Sequence, residues 1–376
     1  MPDSDGRVER VTTLELFFDL VFVFTITQLT TVLFRSPNTT ALLQVVVMLT
    51  LIWWMYGGYA WLTNAVRADT GARRLLLLGG MAGYLILALA IPRAFSSSGL
   101  AFGLAYVGIV AVHTLLFTRS SSIGVVQAIL TLARYNLGVA VVVAVGGALG
   151  GTVQYILWGG AALVEWVLPT IRRREGSFLI GASHFVERHG LVVIIAIGES
   201  VVAIGFGAGH LRIDAALVLV AVVGLALSAC LWWLYFGEDL EPAERALSSL
   251  ELAARARAAL FAFGYWHLPM LLGIVAVAAA ERTATAHAFT ELSWTRAAYL
   301  GGGVAAYCAG DALFRRELAL GRLGTRSVAA LLAVATIPAG ALVSPFVQLA
   351  LLVFLLVMVF WIEGHIAATP FARVAS

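Results

Sequence analysis

Long apolar runs alternate with short polar breaks along almost the whole chain. A helix of about 20 apolar residues crosses the hydrocarbon core of a bilayer. On that measure the pattern predicts twelve spanning helices: 14–34, 41–62, 75–91, 99–117, 123–148, 152–171, 190–208, 213–236, 258–280, 296–314, 327–343 and 345–362. The longest breaks, around 172–189 and 237–257, are too short for a separate catalytic domain. Whatever the chain does, its membrane part is expected to do it.

Composition agrees with that pattern. The 376 residues are 61% hydrophobic and 12% charged, whereas a soluble domain is about 25% charged. Mean hydropathy is +0.94. The expectation is an all-α polytopic membrane protein surrounded by lipid. The first 13 residues are polar, and the apolar run behind them is too long for a signal-peptide core. The net charge of +3 is small and comes from loop arginines, so no nucleic-acid partner is expected. All 24 basic residues are arginine. That excludes a phosphate-binding loop lysine, a pyridoxal lysine and a retinal Schiff base, each of which needs an amine. Cys230 and Cys308 fall in apolar runs and give neither a disulfide framework nor a metal spacing. No metal or cofactor is expected.

Arginines concentrate on the cytoplasmic side of multi-pass proteins. With the N-terminus inside, 19 arginines fall in cytoplasmic segments and 5 outside. Both termini are therefore expected in the cytoplasm.

The chain also repeats itself. WWMYGG (Trp53 to Gly58) matches WWLYFG (Trp232 to Gly237) at an offset of 179, and Asp19 falls on Glu199 at 180. HTLLFTR (His113 to Arg119) resembles GDALFRR (Gly310 to Arg316) at 197, and Gln154 matches Gln348 at 194. These offsets, in chain order, predict duplication. A cytoplasmic segment (1–13) precedes a first six-helix repeat (14–175). A second repeat (176–366) is followed by a tail (367–376). Six is even, so the repeats are expected to be parallel, related by an axis along the membrane normal.

Against this background a few ionisable residues stand out. Asp19 and Glu199 lie inside apolar helices, and an intramembrane acid is costly and usually marks a pathway. Glu15 precedes Asp19 by four residues and shares its face. Gln28 lies further along the same helix. These four are the candidates for a polar path, which is expected to pass Asp19 and Glu199 near the pseudo-symmetry axis. His184, Glu187, Arg188 and His189 cluster at the entry of the seventh span and are candidates for gating or proton relay. The bland alternatives are acids that only pack against neighbouring helices and an ion-pair cluster that anchors a helix end. The tryptophan pairs read as an interfacial belt, and the Gly79–Gly83 and Gly301–Gly303 clusters as close helix contacts. Glu165, His267, Glu363 and His365 are assigned no role; His113 and Asp311 match only loosely.

ELFFDLVFVFTITQL (Glu15 to Leu29) and HFVERHGLVVIIAIGESVVAIG (His184 to Gly205) closely resemble the two signatures of the bacterial low temperature requirement A family. That resemblance spans most of the chain. It implies a polytopic bacterial membrane protein whose family name records a growth phenotype rather than an activity. FFDLVF, followed by Thr25-Ile26-Thr27, is more distantly similar to the first-helix motif of the endolysosomal and bacterial non-classical potassium channels. Those line a pore with the first helices of six-helix repeats; here Phe18 replaces the motif's serine.

The function expected is a channel or transporter for an ion or small solute, to which the carboxylate pair offers a proton-linked mechanism. The rival is an intramembrane enzyme acting on lipid or another apolar substrate, with His184, Glu187 and His189 as acid and base groups. A non-catalytic scaffold and assembly into homo-oligomers stay open.

Overall fold

The computed structural model describes residues 11–65, 70–118, 123–171, 180–209, 211–237 and 240–368. Among them every regular element is helical. In order they are α1 (Thr13–Arg35), α2 (Thr39–Ala65), α3 (Gly71–Ala90), α4 (Gly99–Phe117), α5 (Ile123–Leu149), α6 (Gly151–Ile171), α7 (Ala182–Ala208) and α8 (Ala215–Phe236). Two short helices follow, α9 (Leu240–Ser249) and α10 (Leu252–Ala259). Then come α11 (His267–Ala286), α12 (Trp294–Glu317), α13 (Leu323–Ala335), α14 (Ile337–Leu342) and α15 (Pro345–Ala368). The chain is thus a multi-pass helical membrane protein.

All twelve apolar runs are helical, but ten segments, not twelve, are long and apolar enough among the described residues to cross a membrane. The two that fall short are α6 and α12. Gln154 and Glu165 dilute α6, and Arg296, Asp311, Arg315 and Arg316 dilute α12. Other boundaries move for local reasons. The seventh helix starts at Ala182 rather than 190, so His184, Glu187, Arg188 and His189 lie inside its first turns. The break at 237–257 contains α9, whose Ala243 and Leu247 are buried beneath exposed Glu241 and Arg245. The ninth run is interrupted at Leu260–Tyr265 by a π-helical turn, where Trp266 N donates to Phe261 O five residues back. The eleventh run breaks at Thr336, two residues before Pro338, which has no N–H to continue the ladder.

The helices form two compact units that are discontinuous in sequence. The first takes α1 through Val32, Thr40–Val192 and Glu244–Leu260; the second takes Leu33–Thr39, Val193–Ala243 and the chain from Phe261. In the first unit α3, α4, α5 and α6 pack successively. In the second, α11, α12 and α13 do so, with α8 and α15 also packed on α12. Each unit has one pair of helices held close by facing glycines: Gly99 with Gly147 on α4 and α5, and Gly273 with Gly303 on α11 and α12. A Cβ on Gly99 would lie 2.6 Å from Gly147 O, and one on Gly273 would lie 2.5 Å from Gly303 O.

The boundary expected between the repeats, at 175, lies outside the described residues, as do residues 1–10 and 369–376 and Arg67, Arg119, Arg172, Arg173 and Arg174. The belt reading of the tryptophans does not hold for Trp53. It is buried midway along α2, stacked on Tyr56 at 5.1 Å, while Trp232 and Trp233 remain exposed.

Candidate functional site

The first unit contains a buried ionic cluster assembled by α1, α2 and α7. It begins with the local sequence Thr12-Thr13-Leu14-Glu15, a capping box. Thr12 N and Oγ1 both donate to Glu15 Oε2 at 2.8 Å, and Glu15 N donates back to Thr12 Oγ1 at 3.3 Å. The box starts the helix and ties down one carboxylate oxygen, leaving Oε1 to face α7. There it meets His184 Nε2 at 3.1 Å and Arg188 Nη1 at 3.3 Å. Asp19, one turn on, puts Oδ1 3.2 Å from Arg188 Nη2 and accepts from the Tyr56 hydroxyl at 2.9 Å.

Arg188 has 0% exposure. Its guanidinium carbon lies 5.4 Å from the Phe18 ring and 5.8 Å from the Tyr56 ring, close enough for cation–π attraction. It also donates to Thr63 Oγ1. The two carboxylates compensate its charge, as burial requires.

The tautomer of His184 follows from its neighbours. Asn64 Oδ1 accepts from Gly181 N at 2.9 Å, which assigns the other atom as the amide nitrogen. That nitrogen lies 3.3 Å from His184 Nδ1 and donates to it. The proton of the neutral ring is therefore on Nε2, directed at Glu15. With His184 neutral, one guanidinium faces two carboxylates, and the cluster carries one surplus negative charge. Asp19 is 0% exposed, and its Oδ2 has no hydrogen-bond partner among the described residues.

The predicted residues are thus partly brought together. Glu15, Asp19, His184 and Arg188 form the cluster. Glu187 is exposed and accepts from Val11 N at 3.2 Å. His189 turns away, with Nδ1 on Phe185 O at 2.8 Å and its ring against Trp53 and Tyr56. His184, Glu187 and His189 therefore do not converge on one acid–base centre. Gln28 is half-buried further along α1. Glu199 is buried and belongs to the second unit, as part of α7 beyond Val192.

The second unit has an ionic cluster of its own that sequence reading missed. Arg326 Nη2 lies 2.8 Å from Glu363 Oε2, and Nη1 lies 3.6 Å from Asp311 Oδ2. Arg322 approaches the same Glu363 oxygen at 3.8 Å. The signal was the occurrence of Asp311 and Glu363 in apolar runs; their shared arginine, on a third helix, has no sequence spacing to reveal it. In the first unit, Glu165 and Tyr106 likewise meet at 2.6 Å.

Fold and cluster together define a multi-pass helical membrane protein with an arginine buried between two acids. The family model described as bacterial low temperature requirement A protein (LtrA) matches residues 10–361. The chain belongs to that family. It is also similar to an uncharacterized protein, RA0937, of Rhizobium meliloti (strain 1021), at 28% identity over 316 residues, covering 80% of this chain and 76% of the relative.

Proposed function

We propose that this chain is a proton-linked transporter or channel for an ion or small solute in the bacterial cytoplasmic membrane, with both termini cytoplasmic. The observation that carries the reading is the charge balance of the α1–α2–α7 cluster. Two carboxylates share one guanidinium in a buried site, so binding one proton neutralises it. Asp19 Oδ2, buried and unmatched, is the natural place for that proton. His184, whose Nε2 lies 3.1 Å from Glu15 Oε1, adds a further ionisable group beside the carboxylates. Arg188 keeps the remaining acid ionised. Gln28 and Glu199 add polar points further along α1 and α7; Glu199 lies about 16 Å beyond Arg188 along the helix. Equivalent acids in two repeats support the same reading.

The test uses the purified protein in liposomes with an internal pH indicator, across a pH series and a panel of ions. Asp19→Asn removes the proton acceptor while keeping its shape. Proton-linked flux is expected to fall roughly tenfold or more, the equivalent of losing 1.4 kcal/mol. Flux and pH profile unchanged in Asp19→Asn, with insertion and folding confirmed, would remove the cluster from the mechanism.

A further inference from the structure

A second buried acid, in the other unit, is absent from this cluster and lies beyond the end of the apolar run that predicted its helix. Glu281 on α11 is 1% exposed, and neither of its carboxylate oxygens has a hydrogen-bond partner among the described residues. The buried Ser200 hydroxyl of α7 faces it without completing a bond of normal geometry. On α8 the facing position is Gly224, where a Cβ would stand 2.9 Å from Ile204 Cδ1 and 3.7 Å from Glu281 Oε1. Ile204, the bare Gly224 and the Ser200 hydroxyl are thus groups that approach the carboxyl.

The nearby charges do not neutralise Glu281. Arg282, next in sequence, lays its guanidinium over Phe34 at 4.1 Å and Phe206 at 4.9 Å. There it interacts with Glu199 of α7 and with Arg35. α12 runs antiparallel to α11, as the approaches of Gly303 to Gly273 and Gly310 to Met270 require. Its first turn, with Arg296, comes to this level. α8 brings no charge there.

An ionised carboxylate without a partner is too costly in such a place, and the group neutralises instead. A metal ion does not fit, because hard cations take about six or more oxygen ligands and this site offers a carboxyl and a hydroxyl. We infer that Glu281 and Ser200 form a proton-binding site in the second unit. The proton comes from water and returns to it, adding to and leaving one Glu281 oxygen, while Ser200 Oγ accepts from the resulting O–H. The inference stands apart from the Asp19 cluster and does not depend on it.

Infrared difference spectroscopy on the full chain in lipid tests it. The expected result is a protonated-carboxyl carbonyl band at neutral pH that shifts in heavy water and vanishes reversibly on alkalinisation. Glu281→Gln should abolish it, while Asp19→Asn and Glu199→Gln should leave it. Ser200→Ala should shift the band without removing it, which tests the pairing even if Glu281→Gln fails to fold. A band that does not exchange in heavy water would overturn the proposal by showing a locked structural acid. So would the absence of any band that responds to both Ser200→Ala and Glu281 substitution.

Discussion

Arg188 shows how unequal the two ways of removing a buried ion pair are. Replacing it with methionine leaves Glu15 and Asp19 facing each other with no cation, and breaking a buried pair in this way costs about 3–5 kcal/mol. Replacing all three members with neutral groups of similar shape removes the charge along with its partner and is often nearly neutral. Thermal unfolding in detergent should therefore show Arg188→Met strongly destabilised and Arg188→Met with Glu15→Gln and Asp19→Asn largely recovered. A triple variant as unstable as the single one would mean that Arg188 matters through the packing of Phe18 and Tyr56. At this scale the sequence was informative wherever one ionisable residue interrupts an apolar run, as with Asp19 and Glu199. It was silent on pairing, because Arg188 and Glu15 are far apart in the chain and meet only through helix packing. Glu281 was missed for a different reason. It follows the last alanine of the run and, with Arg282, reads as the start of a loop, although α11 continues to Ala286.

Helix existence was legible from apolar run length, because a lipid-length segment must satisfy its backbone internally. Helix ends and breaks were not, since the winning interactions are local or tertiary. α7 starts early because its polar first turns are buried by α1 and α2, and the eleventh run breaks because of a single proline. The glycines at Gly301–Gly303 signalled close contacts, and the structure shows that Gly301 makes one, to Ala333 O, and Gly303 another, while Gly302 makes none. A Cβ on Gly302 would meet nothing within 4 Å, whereas one on Gly303 would lie 2.8 Å from Gly273 O. Gly303→Val should therefore cost about 2 kcal/mol through overpacking, and Gly302→Ala should be near neutral. Unfolding of the two variants in parallel checks this, and equal losses would mean that the α11–α12 contact does not depend on the backbone approach at Gly303.

At the scale of the whole molecule, the arrangement of the repeats proposed from the sequence turns on α6 and α12. If both cross the membrane, each half has six spans and the halves are parallel. If neither does, each has five, and the halves are inverted. Twelve and ten crossings both return the C-terminus to the starting side, so a reporter at the termini cannot decide. The hydrogen bonds favour crossing. α12 runs antiparallel to α11, as the glycine contacts show, and Asp311 with Arg326 and Gly301 beside Ala333 hold it antiparallel to α13 as well. Both neighbours belong to segments apolar enough to span. In the first unit Gln154 Nε2 donates to Ala94 O at 2.7 Å, and Tyr106 meets Glu165, so α6 tracks α4 over three turns. The matching Gln348 donates to Ala297 O at 2.9 Å near the start of α12. Tyr106 and Tyr307 each bond a carbonyl of the second or eighth run, Leu51 O at 3.2 Å and Leu231 O at 2.9 Å. Low mean hydropathy in α6 and α12 then reflects polar groups satisfied inside each unit rather than exposure to water. We therefore expect cysteines introduced at Thr290 and at Glu317, on either side of α12, to react with a membrane-impermeant thiol reagent from opposite faces of intact cells. Labelling of both from the same face would show that α12 does not cross and would end the six-and-six parallel arrangement on which the arginine-based orientation depends.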